Sequence, residues 1–323
     1  IAEIRFISKF SLDKTFASPI AILKATPPGP AFIKGYLQHY GYKVKVIDGN
    51  QLDTLENIHK EIAKYQFKWL GISVFSFLQK DNALKLAEPY KNVVFGGSGV
   101  DKNWPRKHFI RGEEHALKAF MEGNLDFPGI NGKEPIQMDN IEDLPPPDYS
   151  DNLHQHKYDR AVISGSRGCV RKCTFCDITK HWKKFTFRSG ESIANEMFDQ
   201  SEKHKKYDFQ FSDSLVNGSM KAYRDFVRTV AERNRTAKNK ISWSGQFIVR
   251  GIKSMTEDDW KWTKESGAKN LSLGVESGSE AVRDHMKKQF SNKDMDEFME
   301  QAHINNVGLT FMMIIGYPTE THE

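Results

Sequence analysis

Apolar positions along the first third of the chain alternate between two spacings. Residues 43–47, 69–74 and 93–95 are short β-branched or aromatic runs that predict strands. Between them apolar side chains return every three or four positions. Phe32, Ile33, Tyr36, Leu37 and Tyr40 share one helical face that Gly41 ends, and Leu55, Ile58 and Ile62 mark a second helix. Strands separated by helices pair in parallel through right-handed crossovers, so residues 1–123 predict an α/β, doubly wound, Rossmann-like domain. Such sheets bind ligands beyond the carboxyl ends of their strands, where the sequence places residues 26–30, 73–77 and 96–99.

The periodicity lapses over residues 124–158, rich in Pro, Gly, Asn and Asp and including the run 145–147, which predicts an ordered linker. It resumes over residues 159–323 in longer units. Residues 161–164 form a strand that runs into a cysteine-bearing loop, and Ile193, Met197 and Phe198 mark a helix. Residues 209–211 are the next strand, followed by a helix with Tyr223, Phe226, Val227 and Val230 at i, i+3, i+4 and i+7. Residues 241–243 and 246–249 give a third strand region. Its helix starts at Thr256, with three carboxylates in the first turn, and closes near Gly267. Residues 271–275 are a fourth strand, Met295, Phe298, Met299 and Ala302 one helix face, and residues 309–315 a fifth strand. Five βα-type units in series predict a partial TIM-type barrel that is C-terminally truncated, because no closing unit follows.

Composition narrows the class. With 38% hydrophobic residues and an excess of 47 basic over 42 acidic side chains, the chain is globular and mildly basic. That charge permits an anionic partner, nucleic acid included, without demanding one. The longest apolar stretches are too short to span a bilayer, and no secretory leader opens the chain. The three cysteines, Cys169, Cys173 and Cys176, lie within eight residues, which is no disulfide framework and points to a reducing, cytoplasmic compartment.

Those cysteines carry the chemistry. Three residues separate the first two and two separate the second pair, on a loop leaving a first barrel strand. Three thiolates on one loop can ligate three irons of a cubane and leave the fourth open to a substrate or cofactor. A structural zinc completed by His181 is the competing arrangement, although zinc modules more often pair their cysteines in knuckles.

The loop, with Phe175 before its last cysteine, resembles the signature of the radical S-adenosylmethionine (radical SAM) superfamily. Residues 273–279, Leu-Gly-Val-Glu-Ser-Gly-Ser, are similar to its fourth-strand segment, and the resemblance implies that Glu276, with Ser277, holds the SAM ribose. Residues 312–321 resemble the fifth-strand motif that packs on adenine, implying roles for Ile315 and Gly316, with Thr319 where glycine is usual. Ser212 and Asp213 stand where the family binds the SAM amino group, and Arg250 where it could meet the carboxylate. Asp213 could instead cap the turn at 217–220.

The first third resembles the branch of that superfamily with an N-terminal cobalamin-binding domain. Its landmarks are Pro27-Pro-Gly29, Gly71-Ile-Ser73, Phe95-Gly-Gly97, Arg111-Gly-Glu-Glu114 and Leu144-Pro-Pro-Pro-Asp-Tyr149. The implied corrin contacts are Pro28, Gly29, Ser73, Gly96, Gly97, Ser98 and Glu113. The Asp-x-His-x-x-Gly pattern that supplies a histidine to cobalt is absent, so cobalamin is expected without a protein imidazole. His154 and His156 read as surface residues.

The resemblance implies a [4Fe-4S] cluster that reductively cleaves SAM to a 5′-deoxyadenosyl radical, and methyl transfer from cobalamin to an unactivated carbon of an unknown substrate. Radical cyclisation, epimerisation or rearrangement without methyl transfer is a second expectation, and a zinc-stabilised basic binding module a third of another class. A methylthiotransferase is disfavoured, because no cysteines remain for a second cluster. Arg167, Arg171, Lys172, Lys180, Lys183 and Lys184 crowd the cysteine loop. They form either a solvated basic face or a docking patch for an acidic electron donor such as flavodoxin or ferredoxin.

Overall fold

The computed structural model describes residues 3–8, 28–49, 52, 54–151 and 159–321. Thr26, Pro27, His154 and His156 lie outside the described residues. The chain divides into two compact units. One comprises residues 1–138 and 144–159, the other residues 139–143 and 160–323.

In the first unit, β1 (Glu3–Ser8), β2 (Lys43–Asp48), β3 (Trp69–Ser73), β4 (Val93–Gly96) and β5 (Phe109–Ile110) form one parallel sheet in the order β2-β1-β3-β4-β5. The winding reverses between β1 and β3, which makes this a doubly wound sheet with its ligand crevice at the carboxyl ends of those strands. Strand alternation feeds two cores. Leu70, Ile72, Val93 and Phe95 face helices Leu55–Ala63 and Lys80–Ala87. Val44, Val46 and Val94 face helices Pro28–His39 and Glu114–Met121. Thr54 caps the second helix by accepting from the Asn57 amide.

Much of the expected linker packs on this unit. The Arg111 amide donates to Gly129, and Ile110 bridges Ile130 in antiparallel fashion. The proline run lies on helix 28–39, where any side chain at Gly35 would strike the Pro146 carbonyl. Lys34, buried, donates to Ser150 at 2.7 Å and Asp151 at 2.8 Å, and Lys45 reaches Asp151 at 2.6 Å. The Asp151 carboxylate, with Asp148 3.5 Å from the same ammonium, compensates the burial of Lys34, and Asp151 also accepts from the Val46 amide.

In the second unit, β6 (Ala161–Ile163) is followed by the ribbon strands β7 (Ser166–Arg167) and β8 (Thr186–Phe187), which pair antiparallel. Then come β9 (Asp208–Phe211), β10 (Ser242–Phe247), β11 (Ala268–Glu276) and β12 (Gly308–Met313). β6, β9, β10, β11 and β12 lie side by side in chain order, all parallel. The two expected strand pieces at 241–249 are one strand, β10. The sheet is open among the described residues, with β6 and β12 at its edges.

Helices Gly190–His204, Met220–Thr236, Glu257–Glu265 and Asn292–Ile304 connect these strands. The aromatic face of the sheet packs on them. Phe211, Trp243 and Phe226 stack edge to face with centroids 5.3–5.7 Å apart. Thr256 and Asp259 form a capping box that starts the third of these helices where three carboxylates gather. Among the described residues no helix is long and apolar enough to cross a membrane.

Candidate cofactor site at the cysteine loop

β6 delivers the chain to a sharp turn whose anchor is Asp213, just past the neighbouring β9. Its carboxylate accepts from the Gly165 amide at 3.0 and 3.1 Å and from the Ser166 hydroxyl at 2.5 Å. It is buried, and burial raises its pKa to about 6 against the pull of those donors. Asp213 therefore holds the start of the cysteine loop and does not cap a helix. Ser219 caps helix 220–236 by accepting from the Ala222 amide. The neighbouring Ser212 ties back to β6, its amide and hydroxyl both donating to the Ile163 carbonyl.

The β7–β8 ribbon carries residues 168–185 outward as a closed excursion. Gly168 has φ +85°, and a side chain there would meet the Lys184 carbonyl. Three contacts fasten the loop to the segment after β11 and to the chain after β12. The Thr174 amide donates to the Met286 carbonyl, Arg171 donates to Gln289, and the Thr174 and Tyr317 hydroxyls are 2.9 Å apart. Cys169, Cys173 and Cys176 are half-buried and free of disulfides.

Burial pushes the Cys169 and Cys173 thiols up. The Arg171 amide, donating to the Cys169 sulfur at 3.4 Å, and the charge of Lys288 oppose this. Cations that favour thiolate are what an iron–sulfur site asks of its surroundings. The three thiols do not converge with His, Asp or Glu on a single-ion site among the described residues. His181 stands 3.9 Å from Asp177 on its own short helix. A cubane takes one thiolate per iron, so three thiols carried on one loop are a donor set that fits a cluster with one iron left open.

Across the loop, Glu276 ends β11 after a register shift, with φ +68°, a conformation rare for a side chain other than glycine. Its Oε1 accepts from Lys288 Nζ at 3.1 Å, and that ammonium stands 5.7 Å from the centre of the Phe175 ring. Gly274 leaves the room, since a side chain there would strike Glu276 Oε1. Arg283, fully buried, donates to the carbonyls of Ser277 and Gly278 at 2.9 Å each and fixes the turn behind Glu276. Backbone strain held this firmly is a mark of a functional position. Ser277 is buried and accepts from the Ser279 amide at 3.2 Å.

Beyond β12, Ile315 is almost wholly exposed, and Gly316, at φ +80°, donates its amide to Glu320. Arg250 donates to the carbonyls of Asn217 and Gly218 at 3.0 Å each and lies near Arg171 and Arg224. Two backbone bonds thus hold the guanidinium in place. Sequence reasoning missed Lys288 and Arg283, which serve Glu276 across a loop. Nothing in their local spacing marks them.

The residues expected to meet a corrin lie in the first unit. Pro28 and Gly29 open helix 28–39, Ser73 ends β3, and Gly96, Gly97 and Ser98 leave β4. Side chains at Gly97 and Gly99 would strike the backbone of Val74 and Ser76. The Ser98 hydroxyl donates to the Phe75 carbonyl at 2.5 Å. The β3 and β4 turns are therefore locked backbone to backbone. Beside them Phe75, Phe77 and Leu78 are exposed, an apolar surface that suits a broad ring, and neither turn carries an imidazole. Glu113, buried, accepts from the Met138 amide.

Residues 163–323 match the family model described as the radical SAM superfamily. An anaerobic magnesium-protoporphyrin IX monomethyl ester cyclase of Cereibacter sphaeroides is 22% identical over 163 residues, which are 50% of this chain and 26% of that protein. A solved structure of OxsB, a cobalamin-dependent S-adenosylmethionine radical enzyme with aqua-cobalamin bound, matches 98% of this chain and 49% of its own, with a TM-score of 0.78 and 18% identity. The radical S-adenosylmethionine methyltransferase TsrM of Kitasatospora setae, with cobalamin and a [4Fe-4S] cluster bound, matches 99% of this chain and 70% of its own, with a TM-score of 0.77 and 16% identity. The two structures show the shared fold. The chain spans about a quarter of the cyclase and half of OxsB.

Proposed function

From a chain whose residues 163–323 belong to the radical SAM superfamily, we propose an enzyme that reductively cleaves SAM at a [4Fe-4S] cluster and transfers a methyl group from cobalamin to an unactivated carbon. When bound, the cluster supplies the electron that splits a carbon–sulfur bond of SAM, and cobalamin supplies the methyl group. One observation carries the reading. The three-cysteine loop and the strained Glu276 are brought to one place, with Lys288 standing against both Glu276 and the Phe175 ring.

Each residue has a task in this reading. Cys169, Cys173 and Cys176 hold three irons. Glu276 accepts from the ribose hydroxyls, and Ile315 and Gly316 seat the adenine. Arg171 and Arg250 make the rim cationic and suit the SAM carboxylate. Asp213 positions the loop. Ser73, Gly96, Gly97 and Ser98 bring backbone close to the corrin, and Phe75, Phe77 and Leu78 cover its apolar edge. We infer that the serial parallel sheet is the first part of a partial barrel, and that the thiols work in a reducing, cytoplasmic setting.

Anaerobic purification with added iron, sulfide and hydroxocobalamin tests the reading. The expected result is a brown protein with about four irons, bound corrin, an electron paramagnetic resonance signal that SAM perturbs, and label passing from methyl-SAM to a product. Cys173→Ser should lose the cluster signal. A protein that binds zinc instead and leaves SAM intact under dithionite overturns it. The likeness to an anaerobic cyclase supports a second reading, radical cyclisation or rearrangement without methyl transfer. SAM cleavage with no label transferred selects it.

A further inference from the structure

The second sheet has two unlike faces. Trp243 and Phe247 on β10 point to the helices, as do Phe211 on β9 and Leu271 and Leu273 on β11. Strand alternation sends Ser244 and Gln246 to the opposite face. Register then sorts that face into layers. At the amino-terminal end Asp208 is paired to Arg160 and Lys269, each at 3.1 Å, and accepts from Ser242 at 3.1 Å, an ion-paired floor. Above it Gln210, Ser244 and Asn270 are in register, and above them Gln246, Ser272 and Thr310. Charge returns only at the carboxyl end, with Glu276 and Lys288.

Between the two charged ends lie two layers whose own polar side chains are amides and hydroxyls, with Val162 in register beside Gln210. The Arg160 guanidinium of the floor reaches up to Gln210 Oε1 at 3.4 Å. The amides and hydroxyls are only partly satisfied among themselves. Thr310 donates to Asn270 at 3.1 Å and Asn270 to Ser272 at 3.4 Å. The Ser244 hydroxyl, with 3% of its residue exposed, has no hydrogen-bond partner among the described residues. A buried hydroxyl without a partner is costly, and its place on this face makes it an acceptor or donor for something that arrives. Ionised substrate groups would find no unpaired counter-charge at these layers, because Asp208 already neutralises Arg160 below them and Glu276 neutralises Lys288 above them.

We propose that this face binds a neutral, hydrogen-bonding part of the substrate, an amide- or hydroxyl-bearing group, and not a carboxylate or phosphate. The proposal rests on the radical SAM reading for its position beneath the cofactor end of the same strands, and it adds the substrate's chemical class. Neutral layers discriminate by leaving polar groups unpaired when the wrong ligand enters.

Saturation-transfer NMR on the reconstituted full chain tests it, with N-acetyl-alanyl-alaninamide and glucose as neutral probes and succinate and inorganic phosphate as charged ones. At least one neutral probe should show contact while the charged probes do not. Gln246→Leu and Ser244→Ala should each weaken that contact several-fold, with a circular dichroism spectrum and melting temperature like those of the unaltered protein. The thermal control matters most for Ser244→Ala, which removes an unsatisfied hydroxyl and should hold or raise the melting temperature. Stronger contact from the charged probes, contact from no neutral probe, or neutral contact unchanged in both folded variants overturns the proposal. Cluster loading and SAM cleavage are read on the unaltered protein alone. Their failure counts against the proposed function and leaves the probe result to stand by itself.

Discussion

Lys288 Nζ lies 3.1 Å from Glu276 Oε1, and both side chains are nearly buried. The pair spans a turn held by Arg283 and places one positive charge beside the cysteine loop. Lys288→Met should therefore do two things. It leaves Glu276 a buried carboxylate without its cation, weakening SAM binding about tenfold by calorimetry. It also makes the bound cluster harder to reduce, lowering its midpoint potential by roughly 50 mV in an electron paramagnetic resonance titration. Lys288→Arg keeps the charge and should restore most of the potential. A potential unmoved by Lys288→Met would show that the ammonium is screened from the cluster.

Asp213 gives the protein an unusual pH dependence. Burial raises this acid to about 6 in the folded chain, above its ordinary value of 3.8. The folded state then binds more protons than the unfolded state between those values, so stability falls as pH rises through that window and stays lower above it. The contribution is about 3 kcal/mol. Asp213→Asn keeps an acceptor for Gly165 and Ser166 and abolishes the titration. Denaturant midpoints of the two proteins between pH 4 and 7 should diverge with that sign, and parallel curves would rule the assignment out.

Gly97 has φ +111°, and a side chain there would strike the Val74 carbonyl. Gly97→Ala should destabilise the first unit by roughly 2 kcal/mol. It should also reduce corrin uptake on reconstitution, measured by visible absorbance, because the β3 and β4 turns must separate. Iron content, which depends on the other unit, should stay the same.

The basic residues around the cysteines are not equivalent. Lys184 is paired with Asp139, whereas Lys172 and Lys183 are exposed. Charge reversal of Lys172 and Lys183 should slow reduction by flavodoxin about tenfold at low ionic strength, and added salt should erase the difference. Reduction by dithionite should not change. Equal slowing with both reductants would mean that the cluster site itself was damaged.

The sequence by itself determined the alternation of strands and helices and the family likeness of the cysteine loop. Period 2 and period 3.6 patterns placed most strands and helices of the second unit and three strands and two helices of the first, but not β1, β5, the β7–β8 ribbon or helices 80–87 and 114–121. Three clustered cysteines and the Gly-Val-Glu-Ser-Gly segment marked the site, because metal ligation and strand ends are written in local spacing. Only the tertiary structure decided which side chains serve that site. Asp213 holds the Gly165–Ser166 turn from the next strand, and Lys288 and Arg283 fix Glu276 from beyond it. The proline-rich stretch expected as a linker packs on helix 28–39 through the buried Lys34. Each depends on long-range burial, where a charge persists only if the fold brings its partner, and no local pattern encodes that partner. The neutral layers of the second sheet arise in the same way, from register between strands far apart in the chain.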